Sequence, residues 1–245
     1  MQTTGNTILI TGGSTGIGRA IARAFHAQNN RIIVTSRNQA RLAQLQQEFP
    51  DWSTYPADLT CTADVIELVA FIEEQHGSLN ILVNNAGQQT ACNFLHQVPS
   101  PAALVGEMRL NFEAALLLAS LLLPVLLHSP AALIVNVGSA LGAVPRSAYP
   151  VYSASKAALS ALSVCLRRQL RETNVSVMEL VPPLTDTLMN AERSGPKMSP
   201  ESVAEALLCG IQNNRRTIRP GSSSILHAIS RVSPGLASRL VEASP

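Results

Sequence analysis

The chain has 245 residues, room for one large α/β domain or two small ones, and its 46% apolar residues can fill a sizeable core. Only 14% of residues are charged, against roughly 25% in an average soluble domain, so part of the surface is expected to lie against another subunit as a homodimer or homotetramer. The formal net charge of +2 and the 4% aromatic content, with basic residues clustering only in pairs such as Arg167 with Arg168, exclude nucleic acid as an evident partner.

In chain order, a polar start runs into a short apolar segment without the basic leader and long apolar stretch of a signal peptide, so a soluble, cytoplasmic protein is expected. β-branched runs predict strands at Thr7 to Thr11, Arg31 to Ser36, Ser53 to Ala57, Ile81 to Asn84, Ala132 to Val137, Val175 to Val181 and Thr217 to Arg219. Between them, helical stretches are predicted over 16–28, 39–48, 63–76, 102–128, 152–172 and 202–213. This alternation predicts a single α/β domain over 1–245: a Rossmann-type, doubly wound, seven-stranded parallel sheet flanked by helices in a three-layer α/β/α sandwich. The greasiest run, Ala114 to Leu127, holds Ser120 and Pro124 and is too short for a bilayer, which suits a buried helix or a subunit interface and implies no membrane span. Cys61, Cys92, Cys165 and Cys209 lie far apart without ligand spacing, so buried, reduced thiols and no metal are expected. The stretch 186–200, with Gly195 and two prolines, reads as a substrate lid. The ending around Ser233-Pro-Gly-Leu-Ala237 is left with two readings, a cover for the pocket or a packing surface for a partner.

The chemistry-bearing motifs sit at strand ends. Thr11-Gly-Gly-Ser-Thr-Gly-Ile-Gly18 joins the first strand to a helix, placing Gly12, Gly16 and Gly18 where backbone approaches a pyrophosphate at a helix N-terminus. After the second strand, Ser36 stands where NAD sites usually carry an acid, and Arg37 follows, which favours a 2′-phosphate and NADP(H) over NAD(H). Asp58 is placed to accept from an adenine amino group or to cap the helix near Thr62. Asn84-Asn-Ala-Gly87 ends the fourth strand, and Ser139 follows the fifth. Tyr152 and Lys156 are four residues apart on one helix face, and the cation is expected to lower the tyrosine pKa toward a general acid's range.

These elements, TGxxxGxG, NNAG, Ser and YxxxK in order over roughly Thr7 to Thr187, resemble the short-chain dehydrogenase/reductase family. The resemblance implies that Tyr152 exchanges a proton with a carbonyl or alcohol oxygen, Lys156 holds the nicotinamide ribose, Ser139 positions the substrate oxygen and Asn111 holds a relay water. It also implies cofactor contacts from Ser14, Thr15, Ile17, Leu59, Asn85, Ala86, Gly87, Pro182, Thr185 and Thr187, besides the glycines, Arg37 and Asp58. Asn111 equally reads as a helix-kinking or core-satisfying residue. Pro183 departs from the family's usual Pro-Gly, so a different loop closure is expected.

The five histidines lack HExxH spacing and no GxSxG elbow is present, which excludes metalloprotease and serine-hydrolase readings. A silent NADP(H)-binding regulator is the competing class, and the intact Ser139, Tyr152 and Lys156 argue against it. Gln89, Phe94, Leu141, Val144, Tyr149, Leu184 and Met189 are expected around the substrate, with no carboxylate-binding arginine in evidence, which leans toward a neutral or hydrophobic carbonyl compound.

Overall fold

A computed structural model describes residues 1–243. Seven strands form one parallel sheet: β1 (Thr7–Thr11), β2 (Arg31–Ser36), β3 (Ser53–Pro56), β4 (Ile81–Asn84), β5 (Ala132–Val137), β6 (Val175–Leu180) and β7 (Thr217–Ile218), in the order β3-β2-β1-β4-β5-β6-β7. The order reverses between β1 and β4, and in open α/β sheets ligands bind outside the carboxyl ends of the strands at such a point. Alternation along each strand feeds two cores. Ile8 and Ile10 of β1 point to one face and Leu9 to the other, all fully buried.

On the first face lie α1 (Gly16–His26), α2 (Gln39–Glu48) and α7 (Pro200–Gln212), whose Ile21, Phe25, Leu42, Leu45, Val203 and Leu207 enclose that core. On the second lie α3 (Thr62–His76), α5 (Ala114–His128) and α6 (Pro150–Gln169). The expected three-layer sandwich is present. Trp52, the single tryptophan, is buried and stacks on Phe49 with ring centroids 4.1 Å apart.

The structure departs from the sequence expectation in four places. The long helix predicted from 102 is one run, Pro101–His128, of 28 residues, long and apolar enough by length and composition to cross a membrane. Within the fold its stripe of Ala114, Leu118, Ala119, Leu122 and Leu126 is instead packed into the second core, and Val105, Leu116, Leu121 and Leu127 remain exposed. This run is interrupted: α4 (Pro101–Met108) passes through a π-helical turn, Arg109–Glu113, into α5. Helix α6 begins two residues before Tyr152 because Pro150, at its first turn, has the backbone angle that starts a helix. Three of the four cysteines, Cys61, Cys165 and Cys209, are exposed rather than buried, since each sits on the outer side of its helix or turn; Cys92 is buried. The chain after β7 forms two helices that were not predicted, α8 (Ser222–Val232) and α9 (Pro234–Glu242).

Candidate active site

The turn after β1 is held by side chains of the fourth strand's end. Thr11 Oγ1 donates to the Val83 carbonyl (3.3 Å) and accepts the N–H groups of Asn85 and Ala86 (2.9 Å each). Asn85 Nδ2 in turn donates to the carbonyls of Thr11 (2.8 Å) and Gly12 (3.3 Å). Gly12 has φ +64°, and a Cβ there would stand 3.0 Å from Ala86 Cα, so the turn needs glycine on both counts. Asn84 points away from the turn: its Nδ2 donates to Asn136 Oδ1 (2.9 Å), and Asn136 Nδ2 donates to Ser163 Oγ (2.8 Å), a buried chain joining β4, β5 and α6.

Above this turn opens a cavity of about 560 Å³ running from the first glycine turn to α8 and α9. Its lining includes Gly12, Ser14, Thr15, Gly16, Ile17, Arg37, Leu59, Asn85, Ala86, Gly87, Pro182, Thr185 and Thr187, all named from the sequence, and adds Thr35, Ser36 and Arg41. Gly18 and Asp58 are not in it. Gly18 lies beneath the turn, where a Cβ would collide with Asn85 Nδ2 and the Gly12 carbonyl. Asp58 Oδ1 accepts from the N–H (3.0 Å) and hydroxyl (2.8 Å) of Thr60, closing its own turn, and the cap position of α3 is held by Cys61 instead. Burial opposes ionisation of Asp58, but the Thr60 hydrogen bonds and the nearby Arg37 charge outweigh it and lower its pKa. Ser36, standing where an acid would repel a phosphate, accepts a hydrogen bond from Ser14 Oγ (3.0 Å).

Farther in, Ser139, Tyr152 and Lys156 meet on the cavity wall. The Ser139 hydroxyl lies close enough to the Tyr152 phenol to act on its ionisation. Ser139 Oγ also accepts the Leu141 N–H (3.2 Å), which fixes the turn that follows β5. That turn packs so tightly on α6 that a Cβ on Gly142 would lie 2.8 Å from the Lys156 carbonyl carbon. Lys156 Nζ donates to the Val137 carbonyl (2.8 Å) and lies 5.7 Å from the centroid of the Tyr152 ring. Asn111 sits in the π-helical turn. Its Oδ1 accepts the Gln88 N–H (2.8 Å), and its Nδ2 donates to the Gln88 carbonyl (2.9 Å) and to Ser155 Oγ (3.1 Å). It does not line the cavity, yet a Cβ on Gly87 would stand 3.1 Å from its Oδ1 and 3.6 Å from Lys156 Nζ, so the two side chains converge beneath Gly87.

The expected pKa relation is reversed here. Burial raises the Tyr152 pKa, and the Ser139 hydroxyl and the charge of Arg193 only partly offset it, while buried Glu107 adds to the rise. Lys156 is itself buried, which lowers its pKa to about 8 despite the opposing field of Glu179. Helical spacing placed the pair correctly, but burial rather than proximity decides the direction.

Of the predicted substrate-pocket residues, Gln89, Leu141, Leu184 and Met189 line the cavity. Tyr149 and Val144 pack behind it with Leu141, Ala237 and Val241, and Phe94 is exposed. The segment 186–200 is tied together at its base, where the Asp186 N–H donates to the Met198 carbonyl and the Met198 N–H to the Leu184 carbonyl (2.9 Å each). It brings Leu188, Met189, Asn190 and Arg193 to the cavity, and the two C-terminal helices bring Ser222, Ser223, Leu226, Leu240 and Val241. Arg193 overturns the expectation of a wall without an arginine. No motif marks it, because the path of the 186–200 segment, not a local pattern, brings it there.

A dinucleotide fits these residues: a glycine turn with a positive φ at the head of a helix, and a buried, unpartnered Thr35 hydroxyl on the lining. Residues 6–197 match the family model described as short chain dehydrogenase. The chain is 37% identical over 224 residues to an uncharacterised oxidoreductase, DltE, of Bacillus subtilis (strain 168), covering 89% of each. Its structure is similar to a short chain dehydrogenase from Burkholderia cenocepacia J2315 in complex with NADP, with a TM-score of 0.87, 22% identity and 100% of both chains covered. It is also similar to a short chain dehydrogenase/reductase from Burkholderia phymatum in complex with NAD, with a TM-score of 0.84, 20% identity and 95% and 96% covered.

Proposed function

The chain belongs to the short-chain dehydrogenase/reductase family of NAD(P)-dependent oxidoreductases, and on that premise we propose that it transfers hydride between NADP(H) and a carbonyl or alcohol substrate, with Tyr152 as general acid and base. The observation that carries this reading is the meeting of the Ser139 and Tyr152 hydroxyls, with Lys156 behind them, on the wall of a cavity continuous with the glycine turn. The bound nicotinamide supplies or accepts the hydride.

In the direction of reduction, Ser139 Oγ orients the carbonyl oxygen and Tyr152 Oη gives it a proton as the carbon becomes an alcohol. The raised pKa of Tyr152 keeps the phenol protonated at neutral pH, the form a proton donor requires. Lys156 holds the nicotinamide ribose, and Asn111, locked onto Gln88, keeps the wall beside it in place. NADP preference rests on Ser36 in place of an acid and on Arg37 and Arg41 together at that end of the cavity, where two guanidinium groups suit a 2′-phosphate. The exposed apolar residues of α4, α5 and α6, Val105, Leu116, Leu121, Leu127 and Val164, support a homo-oligomer built on these helices.

The test is NADPH consumption over a panel of ketones and aldehydes, followed at 340 nm, for the wild type and Tyr152→Phe. Tyr152→Phe is expected to lose at least about a hundredfold in kcat while still binding NADPH. Near-wild-type turnover in Tyr152→Phe refutes the proton donor, and tight NADPH binding without turnover on any carbonyl favours a silent regulator.

A further inference from the structure

The residues lining the main cavity include four that carry basic side chains, Arg37, Arg41, Lys156 and Arg193, and no Asp or Glu. Arg37 and Arg41 stand at the end assigned to the cofactor 2′-phosphate, and Lys156 is used at the catalytic centre. Arg193 is the cation left over, at the substrate end, and the function proposed above does not employ it.

Its surroundings are built. The turn Leu188–Asn190 leads into Arg193, whose N–H donates to the Asn190 carbonyl (3.1 Å), and Asn190 Nδ2 donates to the Thr185 carbonyl (3.0 Å), tying this part of the lid to its base. Arg193 Cζ lies 5.9 Å from the centroid of the Tyr149 ring, three residues before Tyr152. Its Nε is buried without a hydrogen-bond partner. A buried guanidinium N–H left unpaired costs free energy, and a carboxylate seated across the Nε–Nη edge would supply the missing acceptor bidentately. The nearby acids do not fill that role. Glu242 is engaged by the Ser147 N–H and hydroxyl (2.7 Å each), under the field of Arg146. Glu107 accepts the Thr90 N–H (3.2 Å), and burial pushes it toward its neutral form. The lining of the same cavity also carries apolar side chains, Leu141, Leu184, Met189, Leu226 and Val241, and the charge of Arg193 is near enough to bear on Tyr152.

We infer that the substrate is a carbonyl or alcohol compound with an apolar body and an anionic group, a carboxylate being the best fit, and that Arg193 on the lid is the residue that selects for that anion. The inference rests on the oxidoreductase reading above and deepens it. Arg193 makes the lid a selective element: an anion drawn to it pulls the lid onto the substrate, and the apolar body fills the space toward Tyr152.

The probes are a series of phenylalkanoates of increasing chain length and the matching carboxamides, titrated calorimetrically into the NADP-saturated protein. In the wild type the best carboxylate is expected to bind about tenfold tighter than its amide, the size of one charge-assisted pair. Arg193→Met is expected to remove that ratio while moving amide affinity less than about threefold, and Arg193→Lys to keep part of it, since an ammonium is a point charge without the fork. Equal wild-type affinities for acid and amide overturn the inference, as does a ratio that survives Arg193→Met. A rise of about tenfold in the NADPH KM of Arg193→Met with the ratio intact also overturns it, because the arginine then serves a cofactor phosphate. Should Arg193→Met fail to fold, the wild-type ratio and Arg193→Lys decide alone.

The same proteins assayed with keto acids and their methyl esters separate this inference from the underlying reading. Esters turned over as well as acids overturn the anion preference and leave the oxidoreductase standing. Turnover of neither, with the acid-to-amide ratio intact, refutes the oxidoreductase and leaves the anion site.

Discussion

Lys156 makes the protein's stability depend on pH in an unusual direction. Its amine is buried, and its pKa falls from 10.5 in the open chain to about 8 in the fold. Between about pH 8 and 10.5 the unfolded chain therefore binds more protons than the folded one, and where that holds, stability rises with pH. Below that window both states carry the charge and the fold bears the full desolvation cost, so the gain appears only on the alkaline side. From pH 7.5 to 9.0 these two pKa values give a gain of about 1 kcal/mol, and the whole shift is worth about 3 kcal/mol. Urea unfolding followed by the fluorescence of buried Trp52 measures it. Lys156→Met keeps the aliphatic stem and removes the titrating group, so its stability profile over this range is expected to lack the rise. Glu179→Gln removes the field that props the lysine pKa up, which moves the onset of the rise to lower pH. A wild-type profile that is flat from pH 7.5 to 9.0, or a rise that survives unchanged in Lys156→Met, refutes the reasoning.

Replacing Arg37 with Ala is expected to raise the KM for NADPH about tenfold and that for NADH less than about threefold, as steady-state kinetics with both cofactors would show; equal effects refute the 2′-phosphate assignment. Asn111→Ala deletes three hydrogen bonds and leaves the Gln88 N–H and carbonyl unpaired, so chemical unfolding should report a loss of about 2–3 kcal/mol. A loss below about 0.5 kcal/mol would mean that water replaces the amide and that the residue does not brace the wall.

The parts of the site that were legible in the sequence are those whose cause is local. The glycine turn, the asparagines after β4 and the offset between Tyr152 and Lys156 follow from backbone angles and helix period over a few residues, and each lies where those rules put it. The sheet was legible for the same reason, since its β-branched runs lie between turn residues.

What was not legible depends on what covers what. The direction of the Tyr152 pKa shift is set by burial, which no spacing encodes. Arg193 sits in a stretch of Glu, Ser, Gly and Pro that reads as exposed loop, and it lines the cavity on a segment whose base is pinned by the Thr185–Met198 bridge. Helices α8 and α9 were missed because Ser222-Ser-Ser and Ser233-Pro-Gly read as loop punctuation. Leu226, Ile229, Ala237 and Val241 are helical because Leu141, Val144 and the two tyrosines cover them. The π-helical turn likewise shows in no residue pattern, and it gives Asn111 its grip on Gln88.

The placement of α8 and α9 divides labour along the chain. Residues 6–197, which match the family model, hold the glycine turn, Ser139, Tyr152 and most of the 186–200 segment, whereas the far wall of the cavity comes from 222–241. That wall is joined to the start of α6 by a small apolar cluster and by Glu242 on Ser147. The fold can therefore be retuned for a new substrate by rewriting its last two helices, with the sheet and the reacting groups left as they are.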